Sequence, residues 1–448
     1  MAQADMTVND GTSAEKMTAA DMARRVKMIL IGSAGNLVEW YDFYAYAAFA
    51  LYFAPSFFPN TDPVVQQLQA ALLFAFGFIV RPIGGWLFGH FADRYGRRTA
   101  LTSAVLMMCL GSLVIAVTPT YAQIGIWAPI LLAFARVVQG LSLGGQYGTS
   151  ATYLSEVAHP NHRGFFSSFQ YVTLIGGQLT AIFVLLILQN FFLSTEEIKE
   201  WGWRVPFYIG GALAIFTAFM QRHLDETEQF TEAKKAAEKS GKKIGGLRQL
   251  MNYPKEIAIV VGLTMGGTTA FYTYTTYMQK YLKLSVGLTD EQTTMVTAGS
   301  LIFALFLQPL YGALSDRIGR RPLLIFFGVA GTLFTIPILT NLQTATGPWQ
   351  AFFLIACAWI IVSGYTSINA VVKAELFPTA VRAIGVGLPY AVTVSIFGGS
   401  AESVALLFKS QGHESWFYYY LTGIIATSLL VYFFMRDTGK NSAMNRHE

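Results

Sequence analysis

Charge is scarce in this chain. Asp, Glu, Lys and Arg make up only 13% of its 448 residues, where soluble domains carry roughly 25%. That shortfall excludes a string of water-soluble domains, although the length would suffice for two or three. Cysteine is scarcer still: Cys109 and Cys357 are the two, each inside an apolar run. Two isolated thiols exclude a disulfide-stapled scaffold and supply neither a redox motif nor metal-ligand spacing, so no metal or other cofactor is expected. The surplus of five positive charges is scattered through short loops and not gathered on one face, which excludes a nucleic-acid surface. No catalytic triad or phosphate-cradling loop appears, so an enzyme is not expected. The polar residues 1–27 lead into the first apolar run without a small-residue cleavage site, so no secretory signal peptide is expected either.

What the chain has instead is hydrocarbon. Hydrophobic residues are 53% and the mean hydropathy is +0.44. Runs of about 20 apolar residues recur, each long enough to cross a ~30 Å bilayer core as a helix. The predicted spans are 28–53, 66–91, 99–118, 125–155, 165–193 and 204–222, then 255–281, 291–314, 322–341, 348–375, 383–409 and 413–435. The fold class is therefore an all-α membrane protein of twelve transmembrane helices. They form two six-helix bundles, 28–222 and 255–435, with tails at 1–27 and 436–448. The linker 223–254 contains TEQFTEAKKAAEKSGKK, a mixed-charge run with no broad apolar face that reads as a solvated connector.

Orientation follows from the basic residues. With the N-terminus inside, 24 of the 31 lysines and arginines fall in cytosolic segments and four (Lys199, Lys280, Lys283, Lys409) in external loops. The positive-inside rule then places both termini in the cytoplasm. The chain also repeats itself: Gly89–Arg98, GHFADRYGRR, recurs as Gly312–Arg321, GALSDRIGRR. Both follow the second span of their half. Glu156 and Arg163 lie seven apart after the fourth span, as Glu375 and Arg382 do after the tenth. Matches at corresponding places imply duplicated halves with a substrate site between them near the midplane.

The paired loops resemble the signature of the major facilitator superfamily. NLVEWYDFY (Asn36–Tyr44), RPIGGWLFG (Arg81–Gly89) and QGLSLGGQYGTSATYLSEVA (Gln139–Ala158) resemble its metabolite:proton symporter branch. FQYVTLIGGQL (Phe169–Leu179), EWGWRVPF (Glu200–Phe207), FYTYTTYMQKYL (Phe271–Leu282) and IFGGSAESVAL (Ile396–Leu406) resemble the 2-oxoglutarate permeases within that branch. The resemblance implies a monomeric transporter that moves a small dicarboxylate together with protons by alternating access. A tricarboxylate or shikimate is the alternative cargo. A non-transporting sensor would need an output module that the short tails leave no room for. Gln146 stands where the branch usually has a glutamate, and a glutamine cannot titrate.

Several buried polar residues are candidates for the chemistry. Glu39 and Asp42 are three apart on one face of the first span, and Glu39 lies about 16 Å into it. Burial disfavours a carboxyl's charge and a nearby arginine favours it. The pair is therefore the candidate for proton coupling, or a fixed ion pair that ties the first two spans together. Arg81 and Arg136 lie at mid-depth, and a guanidinium fork suits a carboxylate. The resemblance implies that Arg136 faces the cavity; Arg81 could serve the substrate or simply neutralise Glu39 or Asp42. Arg204 is a substrate ligand or a snorkelling anchor at the outer edge. Selectivity is expected from Gln170, Tyr171, Gln178, Tyr274, Tyr277, Tyr365, Ser367, Asn369 and Lys373. Asp93, Arg97, Arg98 and Glu156, with Asp316, Arg320 and Arg321, are expected as conformational latches; the resemblance implies that Asp93 meets a helix N-terminus and an arginine meets an acid such as Glu156. Glu402 is a buried acid without an evident partner. With it the count is three cations (Arg81, Arg136, Arg204) against three acids (Glu39, Asp42, Glu402), so a dianion would need added protons to restore balance.

Overall fold

The computed structural model describes residues 19–221 and 247–445 apart from 96, 145, 159, 379 and 380. Side chains at 19–35, 89–101, 146, 149, 150, 153, 156, 157, 160, 220, 221, 383 and 445 lie outside the described set. Twelve long helices carry the chain. The N-terminal half contains α1 (Ala19–Phe57), α2 (Pro63–Ile79, continuing as Arg81–Tyr95), α3 (Arg97–Val117), α4 (Trp127–Gly144, continuing as Gln146–Val157), α5 (Arg163–Ile187) and α6 (Val205–Gln221). The C-terminal half contains α7 (Pro254–Val286), α8 (Asp290–Ile318), α9 (Arg321–Gln343), α10 (Pro348–Leu376), α11 (Arg382–Ser410) and α12 (Ser415–Phe434). Among the described residues nine helices meet the length and hydropathy needed to cross a bilayer, and α1, α3 and α6 are three further long helices. Of the expected linker only Leu247–Leu250, a single helical turn, and the residues up to Pro254 are described.

Local chemistry sets the helix ends. Proline opens α2, α7 and α10 at the first turn, where its missing N–H costs nothing. Asp62 caps α2 by accepting from Val64 N, and Thr289 with Gln292 forms a capping box on α8. Gly287, at φ +80°, ends α7 in the left-handed region that other residues avoid. α7 runs five residues beyond the predicted 281 because two π-helical turns, Thr273–Tyr277 and Leu282–Val286, carry it on.

The two halves meet through α8 against α5 and α2 against α11. On the face where α8 and α12 end, Asp316 at the end of α8 accepts from Gly164 N (2.7 Å) and Phe165 N (2.9 Å), the first turn of α5 in the other half. Arg320 holds that carboxylate at 2.8 Å and reaches Glu375 on α10 at 3.2 Å. Thr438 of the C-terminal tail donates to the same glutamate at 2.7 Å. On the far face, Gln279 and Lys280 of α7 donate to the carbonyls of Ala48 and Ala47 on α1, each at 3.1 Å. Contacts thus close the interface at both faces, so the structure is an occluded state. Arg321, expected in the latch, serves α12 instead: its guanidinium caps the carbonyls of Tyr432 (3.2 Å) and Phe433 (2.6 Å). The latch residues Asp93, Arg97, Arg98 and Glu156 lie outside the described side chains.

Inside the N-terminal half, α2 and α4 touch backbone to backbone. A Cβ at Gly140 would stand 2.1 Å from Gly77 O, and one at Gly144 would stand 2.1 Å from Arg81 O. Glycines that let helices approach this closely fix the point at which Arg81 leaves α2. Gly140→Ala should cost about 1–3 kcal/mol through overpacking, read as a lower thermal midpoint in detergent. Gly423→Ala, where nothing lies within 4 Å, should leave the midpoint unchanged or higher.

Candidate functional site

Tyrosines from both halves converge at the interface: Tyr44 on α1, Tyr147 on α4, Tyr171 on α5, Tyr272 on α7, Tyr365 on α10 and Tyr390 on α11, all buried. Tyr147 and Tyr390 stack across the halves with centroids 3.7 Å apart. Lys373 enters this cage where α10 breaks at Ser367 and Ile368 and restarts at Asn369. Its ammonium donates to the Tyr147 hydroxyl at 2.9 Å and sits 3.6 Å from the Tyr390 ring centroid. Asn369, one turn earlier, donates to Tyr171 (2.8 Å) and Tyr147 (3.3 Å). A buried ammonium held by one hydroxyl and two ring faces keeps donor capacity to spare.

Arg81 faces the same interface from the N-terminal half. Its guanidinium lies 3.9 Å from the Phe78 centroid, 4.5 Å from Phe43 and 5.1 Å from Trp40, and it adjoins Tyr272 of α7. Nε and Nη2 are buried without hydrogen-bond partners. Among the described residues no acid forms an ion pair with Arg81 or with Lys373. Among the described residues no ion pair joins Arg81 to Glu39 or Asp42.

Arg136 shares the Phe43 ring with Arg81, at 4.2 Å, and also packs on Tyr46 (4.4 Å) and Phe74 (5.1 Å). Its Nη1 donates to Gln139 Oε1 at 2.6 Å, and Gln139 Nε2 turns to Asp42 Oδ2 at 3.3 Å and Ser112 Oγ at 3.0 Å. Arg136 and Asp42 are thus joined through an amide within the N-terminal half. Glu39 is buried one turn before Asp42. Gln139 was not among the candidates, although its i, i+3 spacing from Arg136 put both on one helix face.

The acid without a partner has one. Glu402 on α11 forms a 2.8 Å ion pair with Lys280 on α7, both nearly inaccessible. Lys280, expected in an external loop, is buried within α7, and Lys373 is buried as well. Adding Lys280 and Lys373 to the six charges counted from the sequence gives five cations against three acids in that set. Of its two readings Arg204 fits the anchor: it donates to Ala116 O (2.8 Å) and Thr118 O (2.7 Å), capping the end of α3 away from the tyrosine cage. Tyr274 packs toward Phe327, Gly331 and Thr335 inside the C-terminal half. Tyr277 donates to Glu414 at 3.2 Å near the far face. Neither reaches the cage; Tyr44, Tyr147, Tyr272 and Tyr390 stand there instead. Gln170 and Gln178 are buried on α5, the helix that carries Tyr171. Among the described residues no cluster of His, Cys, Asp and Glu could hold a metal ion.

The family model described as "Sugar (and other) transporter" matches residues 28–257 and again 221–446, once per half. The chain is 49% identical over 430 residues to the alpha-ketoglutarate permease of Escherichia coli strain K12, covering 96% of this chain and 98% of the relative. It is 33% identical over 398 residues to the citrate-proton symporter of Klebsiella pneumoniae, covering 87% and 86%. Among solved structures, a partially occluded inward-open conformation of the Escherichia coli xylose transporter XylE superimposes with a TM-score of 0.73. That match has 16% identity and covers 93% of this chain and 98% of the other, a likeness of fold.

The cage depends on one hydroxyl. Tyr147→Phe removes the acceptor for both Lys373 and Asn369 and leaves a buried ammonium short of its bond. The loss should be about 1–3 kcal/mol of stability, measured as a lower unfolding midpoint with helix content intact.

Proposed function

The chain belongs to the sugar (and other) transporter family, and we propose that it takes up 2-oxoglutarate with protons by alternating access. The observation that carries this reading is the pair of buried cations without an acid, Arg81 from one half and Lys373 from the other. Lys280 is matched by Glu402 and Arg136 is linked to Asp42, whereas among the described residues neither Arg81 nor Lys373 forms an ion pair with an acid. A dicarboxylate supplies two negative charges on one short molecule, one for each half. Charge-assisted hydrogen bonds of this kind contribute about 1.5–3 kcal/mol apiece. A betaine would need an aromatic box open to a quaternary ammonium, whereas here Arg81 and Lys373 occupy the ring faces. Relatives named for alpha-ketoglutarate and for citrate support an organic acid as cargo, and two cations suit two carboxylates better than three.

The protein works as a monomer in the bacterial inner membrane, with both termini in the cytoplasm and no cofactor beyond the coupling protons. The two bundles, 28–222 and 255–435, rock about the cage. The bonds from Asp316 to the α5 N-terminus and from Arg320 to Glu375 latch the cytoplasmic face. Asp93, Arg97, Arg98 and Glu156 act at the matching place in the N-terminal half. A carboxylate at a helix N-terminus is worth about 0.3–2 kcal/mol, which suits a contact broken in every cycle. Asp42 is the proton acceptor in the N-terminal half, with Glu39 beside it and Arg136 poised through Gln139 to sense its charge.

Two experiments test this. Purified protein in proteoliposomes should accumulate labelled 2-oxoglutarate when the outside is made acidic, and unlabelled 2-oxoglutarate should compete better than citrate, shikimate or betaine. Uptake indifferent to the imposed pH gradient would remove proton coupling, and stronger competition by citrate would reassign the cargo. Asp316→Asn should raise the population with its cytoplasmic face parted by roughly tenfold, read as a longer spin-label distance between the cytoplasmic ends of α5 and α8.

A further inference from the structure

One ion pair in the membrane serves neither the cage nor the cytoplasmic latch. Lys280 and Glu402 lie 2.8 Å apart with both side chains sealed from solvent. A buried pair loses several kcal/mol per ion in hydration, and apolar replacements are often as stable, so stability alone does not explain it. Each partner follows a π-helical turn, Thr273–Tyr277 in α7 and Val394–Gly398 in α11, a distortion that recurs at functional segments. Lys280 also donates to Ala47 O on α1, beside the bond from Gln279 to Ala48 O. The pair therefore stands at the contact that must part for the outer face to open. Glu402 Oε1 is on the lysine, while Oε2 is buried without a hydrogen-bond partner.

From this geometry we propose that Glu402 is a proton-binding site of the transport cycle, set in the C-terminal half with Lys280 as its charge partner. The inference rests on the symport reading above. The groups that face Glu402 are Lys280 and Tyr277 on α7, Tyr46 on α1 and Arg136 on α4. α2 has no titratable residue between Pro63 and Ile79, and Tyr420 of α12 faces Ser400 instead. When α1 leaves α7, external water reaches the carboxylate, which takes up one proton and becomes a carboxylic acid; no other bond is made or broken. The lysine then carries an unmatched positive charge that an arriving dianion offsets. When the dianion leaves toward the cytoplasm, the lysine again favours the carboxylate and the proton departs on the same side. Proton and dianion so stabilise each other's binding, and that linkage is reciprocal.

The test separates coupling from transport. In proteoliposomes, labelled 2-oxoglutarate is followed as exchange at equal pH and as accumulation under an inward proton gradient. Glu402→Gln is expected to continue exchange and to lose accumulation above equilibrium. Accumulation by Glu402→Gln at the wild-type level overturns the proposal. So does accumulation regained in the double variant Lys280→Gln/Glu402→Gln, since a merely structural pair can be replaced by two neutral amides. If Glu402→Gln neither exchanges nor accumulates, Glu402→Asp decides. Accumulation with a displaced pH profile supports the proposal, and a silent variant or an unmoved profile contradicts it. If the wild type itself exchanges 2-oxoglutarate but ignores the gradient, the symport reading fails and this inference falls with it.

Discussion

Everything in this molecule turns on positive charge held in hydrocarbon. A cation at the centre of a bilayer costs roughly 2.5–3.5 kcal/mol even by insertion scales that allow relaxation. The chain meets that cost in three different ways. Lys280 has an acid, Arg136 has an amide that leads to an acid, and Arg204 has the carbonyls at a helix end. Arg81 and Lys373 have mainly aromatic faces and a hydroxyl, which temper the charge without cancelling it. Their compensation is left to whatever enters between the halves.

That arrangement couples binding to movement. Arg81 is fixed to the N-terminal half by the glycine contact between α2 and α4, and Lys373 to the C-terminal half by the break in α10. A ligand that satisfies both must draw the halves together. The occluded geometry, with Tyr147 on Tyr390 and with contacts at both faces, is the state such a ligand favours. An empty carrier at the same point keeps both cations buried with no acid in ion-pair contact, which opposes closure without cargo.

Much of this was legible in the sequence. The apolar runs gave twelve helices, and the repeated GHFADRYGRR and GALSDRIGRR loops gave the duplication. The described half of that repeat has an aspartate on a helix N-terminus. Other features could not be read because they depend on pairing between distant helices. Glu402 found its lysine more than a hundred residues earlier, and Lys280 looked like a loop charge because the π turns that lengthen α7 leave no mark in hydropathy. A π turn adds a residue and rotates the following face by roughly 100°. Tyr274 and Tyr277, expected to set selectivity, lie within the first π turn of α7, whereas Tyr272, just before it, faces the interface. Arg204 had two readings, substrate ligand or anchor at the outer edge, and its bonds to the carbonyls that end α3 fit the second.

On the proposed reading, each carboxylate of one dianion meets one of two cations from opposite halves. Counterflow of labelled 2-oxoglutarate, with unlabelled 2-oxopentanoate as the competitor that lacks the distal carboxylate, tests it most directly in the wild type, Arg81→Gln and Lys373→Gln. The wild type should reject the monocarboxylate, and each variant should lose about ten- to a hundredfold in affinity for 2-oxoglutarate together with most of its preference for two carboxylates. A variant that keeps the wild-type preference ratio would contradict the account.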